Sequence, residues 1–325
     1  MIKNPKVSIV ISTYNRPAGL ARALASAAAQ TYQNIEIIVV DDGGFEATKN
    51  VIDEFKRNHP GAILKRVITN DVGLAGSRNA GAKNASGDFI AFVDDDDFFF
   101  PNCISEMLKA FEQCGEEYKA AVSDWIIEDE NGRMSYGVSV QSPLKCPGNG
   151  WMFKRGVFYE KNLWCDDFFR YSEDFELGLR SWGTYKTIYL HIPLFKYAGP
   201  LPVFSAKDIK QGSNNVVNNY AYLVKAIQKN DKVVQGMSRD DRAVIEHHAG
   251  LFAAREGLMP EARMHLSRSL RLRFSFARLF YFFATFLGQR GFMVARAIVS
   301  RLMRRVVVWR SRKLVEKYRS EIPVT

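Results

Sequence analysis

A chain of 325 residues, 47% hydrophobic and 25% charged, has the composition of an ordinary globular protein with a full core, and it contains no exact repeat or low-complexity tract. Its net charge of +10 is unevenly spread: residues 261–325 hold 15 Lys or Arg against three acids, so the first 260 residues are close to neutral. Four cysteines (Cys103, Cys114, Cys146, Cys165) without CxxC or metal-ligand spacing predict a reduced, cytoplasmic setting. A strand-like run from Lys6-Val7 leaves no room for the apolar core of a signal peptide.

In chain order, Val7–Ser12 predicts a buried strand, Pro17–Gln30 an Ala-rich helix and Ile35–Val40 a second strand. A helix over 45–58, a strand over 63–69, a helix over 75–84 and a strand over 89–93 follow. Pro101 suits the first position of a helix reaching Cys114, and 120–125 predicts another strand. Short strands apolar on both faces, separated by helices, predict an α/β fold: a Rossmann-like, mostly parallel sheet flanked by helices. Ligands of such sheets sit at the carboxyl ends of the strands. Those ends carry Ser12-Thr13-Tyr14-Asn15, Asp41-Asp42-Gly43-Gly44, Asn70-Asp71 and the run Asp94 to Asp97, so four strands deliver polar groups to one edge.

Residues 126–200 are less regular, with a turn at Glu130-Asn131-Gly132, a Gly/Pro-rich stretch at 147–150 and a helix over 171–182. From about 205 the chain is helical, with a helical hairpin over 249–272. The expected division is a catalytic domain over 1–204 and a helical C-terminal region over 205–325. His247-His248 is expected as an exposed helical pair.

Four adjacent carboxylates beside an apolar strand repel one another and are costly to desolvate, and a hard divalent cation, Mg²⁺ or Mn²⁺, relieves both costs. If the segment stays extended, Asp94 and Asp96 share a face and Asp95 points away. Asp94 and Asp96 are therefore the candidate metal ligands.

Val7-Ser8-Ile9-Val10-Ile11-Ser12-Thr13-Tyr14-Asn15-Arg16-Pro17 resembles the opening strand and loop of family 2 glycosyltransferases of the GT-A fold. Val39 to Gly44 and Asn70 to Asn79 are similar to that family's second and third nucleotide-contacting loops. Asp94–Asp97 resembles its DxD, and Ser172-Glu173-Asp174 its acidic helix start. The resemblance covers roughly the first 200 residues and implies an inverting, metal-dependent transfer of a sugar from a nucleotide donor, UDP-linked by preference, to a glycan or lipid-linked acceptor. In that reading Thr13 and Tyr14 contact the nucleotide, Tyr14 packing on the base. Asp41 or Asp42 accepts a base N–H, with the resemblance favouring Asp42. Arg78 meets phosphate or a neighbouring aspartate, and Asp95 positions the nucleotide. Asp174 is the general base and Glu173 its orienting neighbour. Gly44 departs from the Ser common at its place in the family, and Asp97 makes the acidic run longer than a DxD requires.

Leu279–Leu287 is apolar but far shorter than the roughly 20 residues that span a bilayer. Arg290, Arg301, Arg304, Arg305 and Arg312 gather on one side of a helical wheel opposite Ala295, Ile298, Val299, Leu302, Val306 and Trp309, while Arg296 and Arg310 break the pattern. Residues 274–313 thus predict a peripheral contact with an anionic membrane, at its inner face, and no nucleic-acid module accompanies them. Two alternatives are a non-catalytic sugar-nucleotide or glycan-binding module and a nucleotidyltransferase.

Overall fold

The first strand, β1 (Val7–Thr13), is buried along its whole length because its two faces feed two different cores. The computed structural model describes residues 3–128, 134–137, 150–160, 164–166, 168–169, 173–182, 184–197 and 219–299. Val7, Ile9 and Ile11 pack with Leu20, Ala23 and Leu24 of α1 (Pro17–Ala28) and with Ile52 and Phe55 of α2 (Glu46–Asn58). Met107 and Phe111 of α4 (Cys103–Gln113) join the same core. Val10 faces the other way, toward Ala82 of α3 (Gly73–Asn84) and Val157 and Phe158 of α5 (Gly156–Glu160). The period-two alternation of one strand thus accounts for helices on both faces.

β1 pairs in parallel with β2 (Ile35–Asp42) and β4 (Phe89–Asp94), and β2 with β3 (Ile63–Thr69). The sheet then turns mixed. β8 (Trp151–Lys154) runs antiparallel between β4 and β6 (Tyr118–Glu128), followed by β9 (Lys186–Tyr197) and the short β5 (Phe98–Phe99), while β7 (Met134–Gly137) pairs with β6. Register brings the predicted strand ends level: Ser12 stands opposite Asp94, Thr13 opposite Asp41, and Asp42 opposite Thr69. The helix expected from Pro101 begins two residues later at Cys103, because Phe100 closes a preceding turn by accepting from the Cys103 N–H at 2.9 Å.

The C-terminal region is helical as expected: α7 (Asn219–Lys229), α8 (Asp231–Gly236), α9 (Arg239–Arg255), α10 (Met259–Leu272) and α11 (Phe276–Ala284), then a 3₁₀ turn and helical residues 288–299. The predicted hairpin is α9–α10. Gly257 turns it with φ +84°, and Gly250 lets the helices close, since a Cβ there would sit 2.6 Å from Leu266. Helix α6 (Glu173–Ser181) shares a core with this region through Phe175, Leu179, Leu223, Ala226, Val234 and Ile245. Glu176, fully buried on α6, is held by Arg180 at 2.8 Å and Lys229 at 3.3 Å.

His247 and His248 are not exposed as the sequence predicted. Their rings pack on Tyr281 and Phe252, and burial, with neighbouring cationic charge, pushes both down to about 4. The predicted turn at 130–132, residues 147–149, the boundary near 204 and the arginine helix beyond residue 299 lie outside the described residues.

At the amino end of β2, Glu36 accepts from Ser8 Oγ at 2.5 Å, Ser86 N at 2.6 Å and Ser86 Oγ at 2.8 Å, with Lys6 Nζ at 2.7 Å. Burial alone would raise this carboxyl, but the donors outweigh it and hold it at about 2. The unfolded carboxyl titrates near 4.5, so the stabilisation is complete above that pH and is lost as pH falls through about 2. Glu36→Gln should therefore lower Tm at pH 7 by roughly 2–6 °C, about 1–2 kcal/mol, and the gap to the parent should shrink below about pH 4.5 in a fluorimetric melting series.

Candidate active site

The level strand ends open into a cleft of about 370 Å³ lined by Ser12, Thr13, Tyr14, Arg16, Asp42, Asp71, Gly73, Leu74, Ser77, Asp94, Asp95 and Asp96. A larger cleft, about 500 Å³, opens at the amino end of β4 between Asp88, Phe111, Glu116 and Lys154. The carboxyl-end rule, and the acidic cluster there, assign the chemistry to the smaller one.

At its mouth Tyr14 is exposed and meets Phe45 edge-on, ring centroids 5.1 Å apart. Its neighbour Asn15 adopts φ +51°, which turns the chain sharply between β1 and α1. The two adjacent aspartates of β2 part company. Asp41 is fully buried, ion-paired with Arg66, and does not line the cleft. Asp42 lines it and pins the start of α3, accepting from Thr69 Oγ1 at 2.9 Å, Val72 N at 3.0 Å and Gly73 N at 2.9 Å. Its Oδ2, with one of these donors, has lone-pair capacity for another N–H. Gly44 has φ +67°, a conformation that favours glycine.

The four-aspartate run does not continue the strand. β4 ends at Asp94, and the chain makes a turn in which Asp97 N donates to Asp94 O at 3.1 Å. The strand alternation expected for Asp94 and Asp96 is replaced by this turn, which gathers Asp94, Asp96 and Asp97 so that one carboxylate oxygen of each lies within 4.8 Å of the others. Three hard anionic oxygens so placed fit a divalent cation such as Mn²⁺ or Mg²⁺. Asp97, set aside by the sequence reading as surplus, belongs to the cluster. Asp95 does point away: it is buried, accepts from Thr13 Oγ1 at 2.7 Å, and pairs with Arg16 at 3.0 Å. Burial raises its pKa, with Thr13 and Arg16 offsetting part of the rise. Arg16 also reaches Asp96 at 2.9 Å. Helix α1 fits over this turn only because residue 19 is glycine, where a Cβ would lie 2.5 Å from Asp95 O.

Arg78 links the metal-type cluster to the acidic helix. Buried on α3, it donates to Asp94 through Nη2 at 3.3 Å and to Glu173 through Nη1 at 3.2 Å. Burial disfavours its charge, but Asp94 and Glu173 outweigh that and hold its pKa above the usual guanidinium range. Glu173 and Asp174 open α6, where Asp174 Oδ1 accepts from Phe175 N at 2.7 Å. Burial drives both carboxyls up; Asp174 raises Glu173 further and Arg78 pulls each down, so the two titrate as a pair. Neither lines the cleft wall itself. Tyr197, at the end of β9, senses both groups: burial and then the charges of Asp97, Asp96, Asp94 and Asp174 raise its phenol.

Arg16, Asp97 and Tyr197 were not assigned by sequence reading. Arg16 sits in the quoted opening loop and Asp97 in the quoted acidic run, so their positions were in view. Tyr197 is 100 residues from Asp97 and carries no local signal.

A mixed α/β sheet with an acidic turn at the end of its fourth strand, followed by a helix-opening acidic pair, defines the GT-A class of fold. A model of glycosyl transferase family 2 matches residues 8–181, and the chain belongs to that family. An uncharacterized glycosyltransferase of Nostoc sp. is 31% identical over 169 residues, covering 49% of this chain and 52% of that protein. The GalNAc(5)-diNAcBac-PP-undecaprenol beta-1,3-glucosyltransferase of Campylobacter jejuni is 30% identical over 128 residues, covering 39% of this chain and 40% of that one. The chain thus spans about half the length, or less, of the curated relatives it matches. Among solved structures, residues 1–349 of S. aureus TarS in complex with UDP-GlcNAc superpose with TM-score 0.57 at 14% identity, covering 92% of each chain. The mannosyltransferase PcManGT of Pyrobaculum calidifontis, in complex with GDP-Man and Mn²⁺, gives 0.54 at 16%, covering 91% of this chain and 87% of that one.

Removing the buried guanidinium takes away the cation that Asp94 and Glu173 share. Arg78→Met is expected to cost about 3–5 kcal/mol in urea unfolding, and Arg78→Met combined with Glu173→Gln should recover part of that loss, giving a coupling energy clearly different from zero in the double-mutant cycle.

Proposed function

We propose that this chain is an inverting glycosyltransferase that moves a sugar from a nucleotide donor, with UDP-sugar the preferred class, to a hydroxyl of a glycan or lipid-linked acceptor. The observation that carries the reading is the single assembly of three parts: the Tyr14–Asp42 cleft, the Asp94–Asp96–Asp97 cluster, and the Glu173–Asp174 pair tied to that cluster through Arg78. The UDP-GlcNAc and undecaprenol-linked substrates in the names of the relatives support the same classes of donor and acceptor.

In this reading Tyr14 packs on the base and Asp42 accepts a base N–H, while Asp95 and Thr13 hold the ribose end of the cleft in place. A divalent cation, Mn²⁺ or Mg²⁺, held by Asp94, Asp96 and Asp97, would supply Lewis-acid stabilisation to the departing diphosphate. Arg16, whose side chain is 60% exposed, is held at the cleft by Asp95 and Asp96 and adds a positive charge on the side where the same diphosphate would lie. The acceptor oxygen attacks the anomeric carbon, the carbon–oxygen bond to the diphosphate breaks, and the acceptor proton passes to Asp174. Burial has already made that carboxylate a stronger base than an exposed one. One displacement inverts the anomeric centre. With a lipid-linked acceptor, the basic segment 274–313 is assigned to an anionic membrane surface, its part beyond residue 299 lying outside the described residues.

Asp174→Asn and Asp96→Asn should each reduce transfer by at least about a thousandfold with Tm close to the parent's. A nucleotide-sugar thermal-shift screen with and without Mn²⁺ should show metal-dependent stabilisation that Asp96→Asn weakens and Asp174→Asn keeps. Retained turnover in Asp174→Asn removes the base assignment. Donor binding with neither hydrolysis nor transfer favours a binding module, and release of pyrophosphate favours a nucleotidyltransferase.

A further inference from the structure

Helix α11 carries a row of exposed aromatic side chains that the arginine-based sequence reading did not single out. Phe276, Phe280 and Phe283 recur at i, i+4 and i+7, which puts them on one face, and they are 81%, 43% and 60% exposed. Phe286 and Leu287 of the following turn extend the exposure at 62% and 67%. The helix is anchored along its flank: Tyr281 and Ala284 pack with Ala253, Ala262 and Phe292, and Ser275 caps the helix by accepting from Arg278 N at 3.2 Å. The phenylalanines therefore stand outward from a fixed helix rather than filling a core. Five large apolar side chains held in water this way are a cost that a binding surface recovers.

Charge selects the partner. Residues 261–299 contain seven arginines and one acid, Glu261. Arg263 lies over the Phe286 ring at 5.0 Å, and Arg271 and Arg290 are exposed at either end of the segment. A short row of aromatics flanked by arginines matches the boundary between acyl chains and anionic headgroups. It is too short to cross a bilayer, and among the described residues no helix is long and apolar enough to do so.

We infer that the Phe276–Phe280–Phe283 face of α11 inserts into an anionic lipid bilayer and is the principal membrane anchor of the chain. The inference rests on the lipid-linked acceptor of the proposed function for its biological sense, but its physical test does not. The full-length protein is floated with phosphatidylcholine vesicles and with mixed phosphatidylcholine–phosphatidylglycerol vesicles, at low and high salt. The parent should float with the mixed vesicles, and raised salt should weaken but not abolish binding, because the aromatic contribution is not screened. Phe276→Ser/Phe280→Ser/Phe283→Ser should lower the partition coefficient at least about tenfold, and Phe276→Ser alone by a smaller factor, with circular dichroism unchanged. Equal flotation of the triple variant and the parent overturns the inference, as does a parent that stays unbound. Light scattering that shows a parent dimer turned monomeric by the triple variant, with flotation unchanged, assigns the face to a second copy and overturns it too. Metal-dependent nucleotide-sugar stabilisation should be identical in the triple variant. Its absence in both proteins would sink the metal-dependent donor reading and leave the flotation result standing.

Discussion

The site depends on one buried cation. Arg78 lies where the acidic turn after β4 and the acidic start of α6 approach, and it donates to a carboxylate from each. Without a positive charge there, Asp94, Glu173 and Asp174 would bring like charges into a region that solvent screens poorly, and Glu173 and Asp174, already raised by burial, would be driven further toward their neutral forms. The guanidinium suits this place because its planar donors address two directions at once, which an ammonium on a flexible stem does less well. It lets an anionic cluster persist in the folded protein before any cation or diphosphate arrives.

What brings these parts to Arg78 is geometry set far from the chemistry. The parallel register of β2, β1 and β4 levels their carboxyl ends, and helices pack on both faces of these strands. Asp42 holds the start of α3 by three hydrogen bonds, and α3 in turn carries Arg78. Gly19 lets α1 close over the aspartate turn. Structural and functional roles therefore overlap in the same side chains. Asp42 is both a helix-start acceptor and a cleft wall, so a simple choice between a turn residue and a nucleotide ligand does not describe it.

The C-terminal helices contribute in a second way. They bury the apolar side of α6 and the carboxylate of Glu176, so the acidic helix start is held from behind by the region that also presents the phenylalanine face. The helix that orients the candidate base and the helix that presents aromatic surface thus belong to one connected helical layer.

Much of this was legible in the chain itself, because strand and helix periodicity are local and the parallel-sheet rule turns strand order into a shared edge. The alternation of apolar residues predicted the α/β architecture and the shared edge that carries Asp41, Asp42 and the Asp94–Asp97 run, while the preference for Asp42 and the choice of Asp174 came from the family resemblance. Local pattern could not decide the direction in which adjacent acids point. Asp41 and Asp42 differ because Arg66 captures one of them, and Asp97 joins Asp94 and Asp96 because the chain turns where strand alternation was expected to continue. Nor could it reveal that Arg78 pairs with a residue 95 positions away, that the charges of the aspartates reach Tyr197, or that His247 and His248 are covered by aromatic rings. Periodicity decides which residues share a face. Only the packing of distant elements decides what that face meets, since burial and electrostatic partners are properties of the folded surroundings and not of the segment.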